Sequence, residues 1–147
     1  MAKARKPKRK RKEQTLGELK QCCRRLCRKI VFIRDGHRCV RCSRTQGDFY
    51  QSGNPVVLQW SHLVRRAQSE RLVCEPRNSV VHCSACHKWW ETQDKLMTVA
   101  WFVGQYGQEH WDWLVSQRKI KETIYKSDWS ALRDRLGKEL EAITSSD

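Results

Sequence analysis

The chain predicts an α+β fold: a small metal-stabilised β-β-α core with helices before and after it. Three observations lead there. Two Cys-x-x-Cys pairs, Cys39/Cys42 and Cys83/Cys86, flank a forty-residue insert. That insert holds two short β-rich runs, Val56–Trp60 and Ser79–His82. Helical periodicity lies on both sides, over 15–33 and again from Ser84 onward.

A length of 147 residues fits one domain with short extensions. We divide it into an arm (1–14), an N-terminal helix (15–36), a metal-bound core (37–100) and a helical extension (101–147). The net charge is +14, and eight of the thirty Lys/Arg fall in the first twelve residues, among them Lys8, Arg9, Lys10, Arg11 and Lys12. A run of like charge with nothing apolar to bury predicts a disordered basic arm. Such an arm suits phosphate neutralisation with counterion release, the alternative being a solubilising or localising tail. No stretch approaches the roughly 18 apolar residues that span a bilayer. No apolar segment follows the basic N-terminus, so no secretory signal is read there. Nucleic acid rather than membrane is the expected partner, and an intracellular location the expected one.

From Thr15 to Ile33, Leu16, Leu19, Cys23, Leu26, Ile30 and Ile33 recur at spacings of three or four, which predicts an amphipathic helix. Thr15 with Glu18 forms a capping box. The opposite face carries Arg24, Arg25 and Arg28, either solvated or tracking a nucleic-acid backbone. Asp35-Gly36 ends the helix, Cys39–Cys42 is a tight turn, and 46–55 is a polar loop. The first strand ends at Ser61-His62. Residues 65–78 form an irregular connection to the second strand. A helix from Ser84 is expected to run to Trp101 or Tyr106. Breaks follow at Gly104 and Gly107, and Ser127-Asp128 opens a final helix with Trp129, Leu132, Leu136, Leu140 and Ile143 on one face.

Four thiolates in two knuckles give tetrahedral, coordinatively closed zinc, so Cys39, Cys42, Cys83 and Cys86 are read as a structural Zn2+ site. A redox role would require a thioredoxin-like βαβ pattern, which is absent. Cys23 and Cys27 fall on the inner helix face as small hydrophobes; a second metal site from Cys22, Cys23 and Cys27 is the alternative.

Hydrolysing a phosphodiester needs an activated water and a cation to absorb developing charge. His62, at a strand end, suits general-base work. His87, directly after the last knuckle, suits a catalytic divalent ion, Mg2+ or Mn2+. Asn78 suits tying the connecting loop to the His62 backbone. Singly, each is as readily a satisfied histidine or a turn former.

Together, Trp60-Ser61-His62, Asn78 and Cys83-Ser-Ala-Cys86-His87 resemble an HNH endonuclease of the ββα-metal type with an integral four-cysteine zinc site. The preceding helix, the "SHLVRR" segment, "FVGQYGQEHWDWL" and "DWSALRDRLGKELEAI" are similar to the NinG/Rap recombination family of lambda-like phages. The resemblance spans roughly residues 16–143. It implies His62 as base, Asn78 as the loop-orienting residue and His87 as a ligand of the catalytic ion. It also implies a nuclease acting on branched recombination intermediates such as Holliday junctions, in the cytoplasm of a bacterial host.

One departure stands out. Many such enzymes place a metal-binding Asp before the base histidine, where this chain has Ser61, and a neutral hydroxyl is a poor ligand for a hard ion. Ser61, His82, Glu91 and Asp94 are the candidates to complete the site, with His82 alternatively ordinary strand filling. Arg65 and Arg66 are expected either to clamp the scissile phosphate or to be solvated. Trp89 and Trp90 either wedge into DNA or pack in the core. Two further readings stand beside the nuclease: a non-catalytic zinc-stabilised DNA-binding protein, and a homing or restriction-type HNH enzyme. Cutting two symmetric strands calls for a homodimer.

Overall fold

The structure, a computed structural model, describes residues 12–146; Lys8, Arg9, Lys10, Arg11 and the rest of the arm before Lys12 lie outside them. Among the described residues the chain is α+β, with five α-helices and one two-stranded antiparallel sheet. Helix α1 covers Leu16–Arg34, and the expected capping box is present: the Glu18 amide donates to Thr15 Oγ1 and the Thr15 amide to Glu18 Oε2. Asp35 closes it, and Gly36 turns the chain with φ +65°, a conformation open to glycine without a Cβ penalty. Strands β1 (Leu58–His62) and β2 (Ser79–Cys83) pair with Leu58 opposite Cys83 and His62 opposite Ser79.

That register decides what each side chain can reach. Successive residues of a strand point to opposite faces. Trp60 and His62 therefore share one face with Val81 and Ser79; Gln59 and Ser61 share the other with His82 and Val80. The first face packs on α1 and α5 (Lys126–Thr144), where Leu19, Cys23, Cys27, Ile30, Val31, Trp129 and Leu136 are buried. The second packs on α2 (Ser84–Thr92), α3 (Lys95–Tyr106) and α4 (Gln108–Lys119), around Val80, Trp90, Phe102 and Leu114. A thin sheet thus separates two cores, one lined by thiols and the other by aromatic rings.

Helix α2 stops sooner than the sequence predicts. Gln93 is extended (ψ 160°), and the Asp94 carboxylate accepts from the Leu96 amide at 2.8 Å, capping α3 as a separate helix. The short polar side chain of Asp94 competes with the helical backbone and wins. Gly107 breaks the chain as expected, at φ +91°, whereas Gly104 sits inside α3. Helix α5 begins at Lys126, because Asp128 occupies its first turn and accepts from the Tyr125 amide at 2.7 Å.

Contacts of Asp35, Val40 and Arg34 that residue patterns do not show hold the sheet in place. The Asp35 carboxylate accepts from the Val81 amide at 2.9 Å, and the Val40 amide donates to the Val81 carbonyl, covering the outer edge of β2. Arg34 donates to the carbonyls of Pro76 (2.8 Å) and Ser79 (2.7 Å), pinning the 3-10 turn Pro76–Asn78 against α1. Among the described residues no helix is long and apolar enough to cross a membrane.

Candidate functional site

The four knuckle sulfurs converge. Their Sγ atoms all lie within 4.8 Å of one another, and Cys42 and Cys83 stand 3.7 Å apart. Ligands about 2.3 Å from a tetrahedral zinc stand about 3.8 Å apart, so the set fits a metal ion such as zinc. Cys39 and Cys83 are fully buried and Cys86 nearly so. A hydrogen bond from the Cys86 thiol holds Cys39 down at about 4, while that shared proton, and then burial, push Cys86 up. A divalent cation displaces such shared protons on binding. Among the described residues this is the one group of three or more His, Cys, Asp or Glu side chains placed to hold an ion.

The remaining thiols form no second site. Cys23, Cys27 and Cys74 are buried in the α1 core, where burial pushes Cys23 to about 11 and Cys74 to about 12. They remain neutral and pack as small hydrophobes.

His62 ends β1 half-buried, its ring 4.4 Å from that of Trp60, with Nε2 2.9 Å from the Val73 carbonyl. A carbonyl only accepts, so Nε2 carries the proton and Nδ1 keeps its lone pair. Burial first, and the charges of Arg66, His87 and Arg24 besides, lower the pKa of His62 below its ordinary value. At neutral pH the ring is therefore an uncharged acceptor.

Asn78 is wholly buried and fully used. Its Oδ1 accepts from the Val64 amide (2.8 Å), and its Nδ2 donates to the carbonyls of Val64 (3.1 Å) and Leu72 (2.9 Å). It ties the two ends of the 63–78 connection together through Val64 and Leu72, not through the His62 backbone as the sequence suggests. The Asn78 carbonyl itself accepts from the Leu63 amide at 2.8 Å, one residue beyond His62.

His87 stands on the opposite side of the sheet from His62. Its Nδ1 lies 2.6 Å from Gln59 Oε1, and its Nε2 lies 3.5 Å from Glu91 Oε1, one turn along α2. The two histidines are near enough for His87 to influence His62 but do not share a face. Ser61 and His82 are not part of an open site: both are fully buried, and His82 Nδ1 is 3.0 Å from Ser61 Oγ. The His82 ring packs against Trp90 and Trp101, and burial drives its pKa down to about 4. It is strand filling with a polar partner. Asp94 is spent on capping α3. His87 and Glu91 alone of the candidates present paired, accessible donors.

Arg65 and Arg66 are both exposed; Arg65 Nη2 donates to the Glu91 carbonyl at 3.3 Å, and Arg66 lies 5.8 Å over Trp60. The pair thus reaches two elements, Arg65 to α2 and Arg66 to Trp60 on β1. Arg24, Arg25 and Arg28 are exposed on α1, with Arg28 4.5 Å over Phe32, and Lys12 is exposed at the start of the described residues. Trp90 is buried and Trp89 partly so, hence Trp90 is core. The Val73 carbonyl is the contact sequence reasoning missed; a backbone acceptor eleven residues from His62 leaves no signal in residue types.

No family model matches the chain, and neither a curated protein nor a solved structure matches it.

Proposed function

We propose that the chain is a metal-dependent HNH-type endonuclease hydrolysing DNA phosphodiester bonds, acting on branched recombination intermediates such as Holliday junctions. The observation that carries the reading is the hydrogen bond from His62 Nε2 to the Val73 carbonyl. It selects the tautomer a general base needs and leaves Nδ1 free to take a proton from water. The Trp60 ring beneath fixes the direction of that lone pair. The water oxygen attacks phosphorus, its proton passes to His62 Nδ1, and the bond to the 3′-oxygen breaks. Arg66 and Arg24, whose charges already act on His62, and the adjoining Arg65 draw in the phosphate. The substrate lies across the His62 end of β1, where both faces of the thin sheet are within reach.

His87 and Glu91 are the residues to hold a catalytic Mg2+ or Mn2+ ion. Donors on neighbouring octahedral positions stand about 3 Å apart, near their 3.5 Å separation. Such an ion would supply charge stabilisation at the leaving oxygen. The Gln59 amide oxygen facing His87 Nδ1 fixes that ring with Nδ1 protonated and Nε2 turned to Glu91. The cysteine cage has no open position and serves only to clamp the two ends of the insert.

A second reading has its own support. Ser61 and His82 are buried against each other, Oγ 3.0 Å from Nδ1, where an additional metal ligand is called for, and His62 and His87 stand on different faces. Both features suit a zinc-stabilised DNA-binding protein without hydrolytic activity. A nicking assay on supercoiled plasmid and four-way junctions with Mg2+ and Mn2+ separates the two. The nuclease reading predicts metal-dependent cutting that Glu91→Gln reduces; wild-type protein inert in both ions supports the binding reading. Preference for junctions over linear duplex separates the recombination substrate from a homing or restriction one, and light scattering on junction DNA tests the dimer.

A further inference from the structure

The loop that follows His62 forms one wall of a groove that the catalytic reading leaves unused. Two adjoining hollows, of about 470 and 480 Å³, lie between residues 66–71 and residues 118–124 and share Ala67, Gln68 and Lys121. Each is far larger than one phosphate ion fills, so the groove suits a length of chain rather than a free anion. Its walls are cross-linked. The Gln68 amide donates to the Arg65 carbonyl at 2.9 Å and closes a turn, and Lys121 Nζ donates to the Gln68 carbonyl at 3.2 Å. Arg71 donates to Gln117 Oε1 at 3.2 Å and to Glu122 Oε2 at 2.6 Å. These bonds hold the segment after α4 against the loop after β1, so the groove is built before any ligand arrives.

The charge of the groove is one-sided. Arg66, Arg71, Arg118, Lys119 and Lys121 line it against Glu70 and Glu122, so a surplus of three cations remains even with both acids set against them. Glu122 is already paired with Arg71, and Glu70 with Lys20 of α1 at 2.6 Å. Among the described residues Arg66, Arg118, Lys119 and Lys121 take part in no ion pair. Arg118 and Lys119 stand in the last turn of α4, where the helix dipole favours cations on any protein. That pole amounts to about half a negative charge, too little to account for the surplus. Two features go beyond charge. Ser69 lines the groove at 7% exposure, and its hydroxyl has no hydrogen-bond partner among the described residues. Such a hydroxyl is rare in folded proteins, and an oxygen of a bound ligand satisfies it. Arg66 belongs to two places at once: it lines the groove and lies 5.8 Å over Trp60, whose ring is 4.4 Å from that of His62. The basic track therefore begins beside His62 and leads away from it.

We propose that this groove binds the phosphate backbone of the DNA duplex leading away from the cut, from Arg66 at the His62 end to Arg118 and Lys119 at the end of α4. Ser69 donates its hydroxyl proton to one of the phosphate oxygens. No aromatic ring lines the groove, so an unpaired strand finds nothing there on which to stack its bases, and a paired one needs nothing of the kind. The proposal rests on the DNA part of the reading above and not on its hydrolytic part. It gives the enzyme a hold on the arm of a branched substrate beside the bond that is cut.

The test is fluorescence anisotropy of the zinc-loaded full chain, without added magnesium or manganese, on a fluorescein-labelled DNA duplex across a salt series. The double variant Arg118→Gln/Lys119→Gln is expected to flatten the slope of log affinity against log salt by about two units. Lys138→Gln, which removes an exposed charge of α5 outside the groove, should leave that slope as it is. Ser69→Ala should weaken duplex binding about tenfold without lowering the melting temperature, because the hydroxyl it removes is unpaired in the free protein. An unaltered slope in the double variant, or full affinity in Ser69→Ala, overturns the groove and leaves the DNA reading standing. Wild-type protein that does not bind the duplex overturns both. Duplex RNA of the same sequence, held more tightly than DNA through these residues, also overturns the proposal by giving the groove another occupant. His62→Ala should bind the duplex as wild type does, so failure of the hydrolytic reading leaves this assay unmoved.

Discussion

The sulfur cage and the histidine pair share a border in sequence, since His87 directly follows Cys86, yet they are built on opposite principles. The cage draws two turns to one point: each knuckle brings two thiols together locally, and the Val40 amide, bonded to the Val81 carbonyl on the outer edge of β2, carries one knuckle to the other. The histidines are instead placed separately, His62 by strand register and His87 by α2 against Gln59, and they fall on the two faces of a sheet only two strands wide. A closed site is finished by its own chain. An open one waits for a substrate that reaches both sides, and the account of catalysis depends on that substrate.

The largest effect expected from breaking this contrast is in the cage. Cys83→Ser removes a ligand and opens the clamp around the insert; zinc binding contributes on the order of 10 kcal/mol to small domains, so folding should be lost together with metal. Metal analysis and circular dichroism check it, and a variant that stays folded without zinc would show that the two hydrophobic cores suffice. The next effect is at the hinge between the regions. Asn78→Ala strands buried partners of three hydrogen bonds and should cost about 3 kcal/mol in urea unfolding. A cost near zero would mean that Arg34, not Asn78, holds the connection.

A third effect is a pH signature of the face that holds His82. Its pKa falls from 6.5 in the unfolded chain to about 4 in the fold, so the folded state binds fewer protons between those values. The stability this represents is present above about pH 6.5 and lost as pH falls toward 4, amounting to about 3 kcal/mol at full protonation. His62 shifts in the same direction and adds to the slope. Across that window the urea midpoint of wild type should fall relative to that of His82→Leu as pH drops, because thiol protonation at the cage affects both alike. Parallel curves would contradict the assignment of His82 as a neutral core residue.

Local signals explain why parts of this molecule are readable from its residues. Thr15 with Glu18 marks the start of α1 because both partners of the capping box lie within one turn. Cys39/Cys42 and Cys83/Cys86 mark the cage because the spacing itself brings the sulfurs together. The short β-rich runs Val56–Trp60 and Ser79–His82 place the strands within two residues. The α2–α3 break is hidden because Asp94 sits in the polar run Glu91–Lys95, which the exposed face of one continuous helix accommodates as readily as a turn does. The Ser61–His82 pair and the His62–Val73 contact depend on register and on a loop's backbone, and neither is encoded at short range. Arg41 over Trp89 is likewise a contact across forty-eight positions of sequence. What is legible is what the chain does to its neighbours; what is hidden is what folding brings from afar.

The central claim is that His62, held by the Val73 carbonyl, activates the water that cuts DNA. Single-turnover cleavage of a four-way junction in Mn2+ by wild type and by His62→Ala, matched for zinc content and junction affinity, tests it directly. The account predicts that the variant cuts at least about 100-fold more slowly while binding unchanged. Equal rates for the two proteins would contradict it.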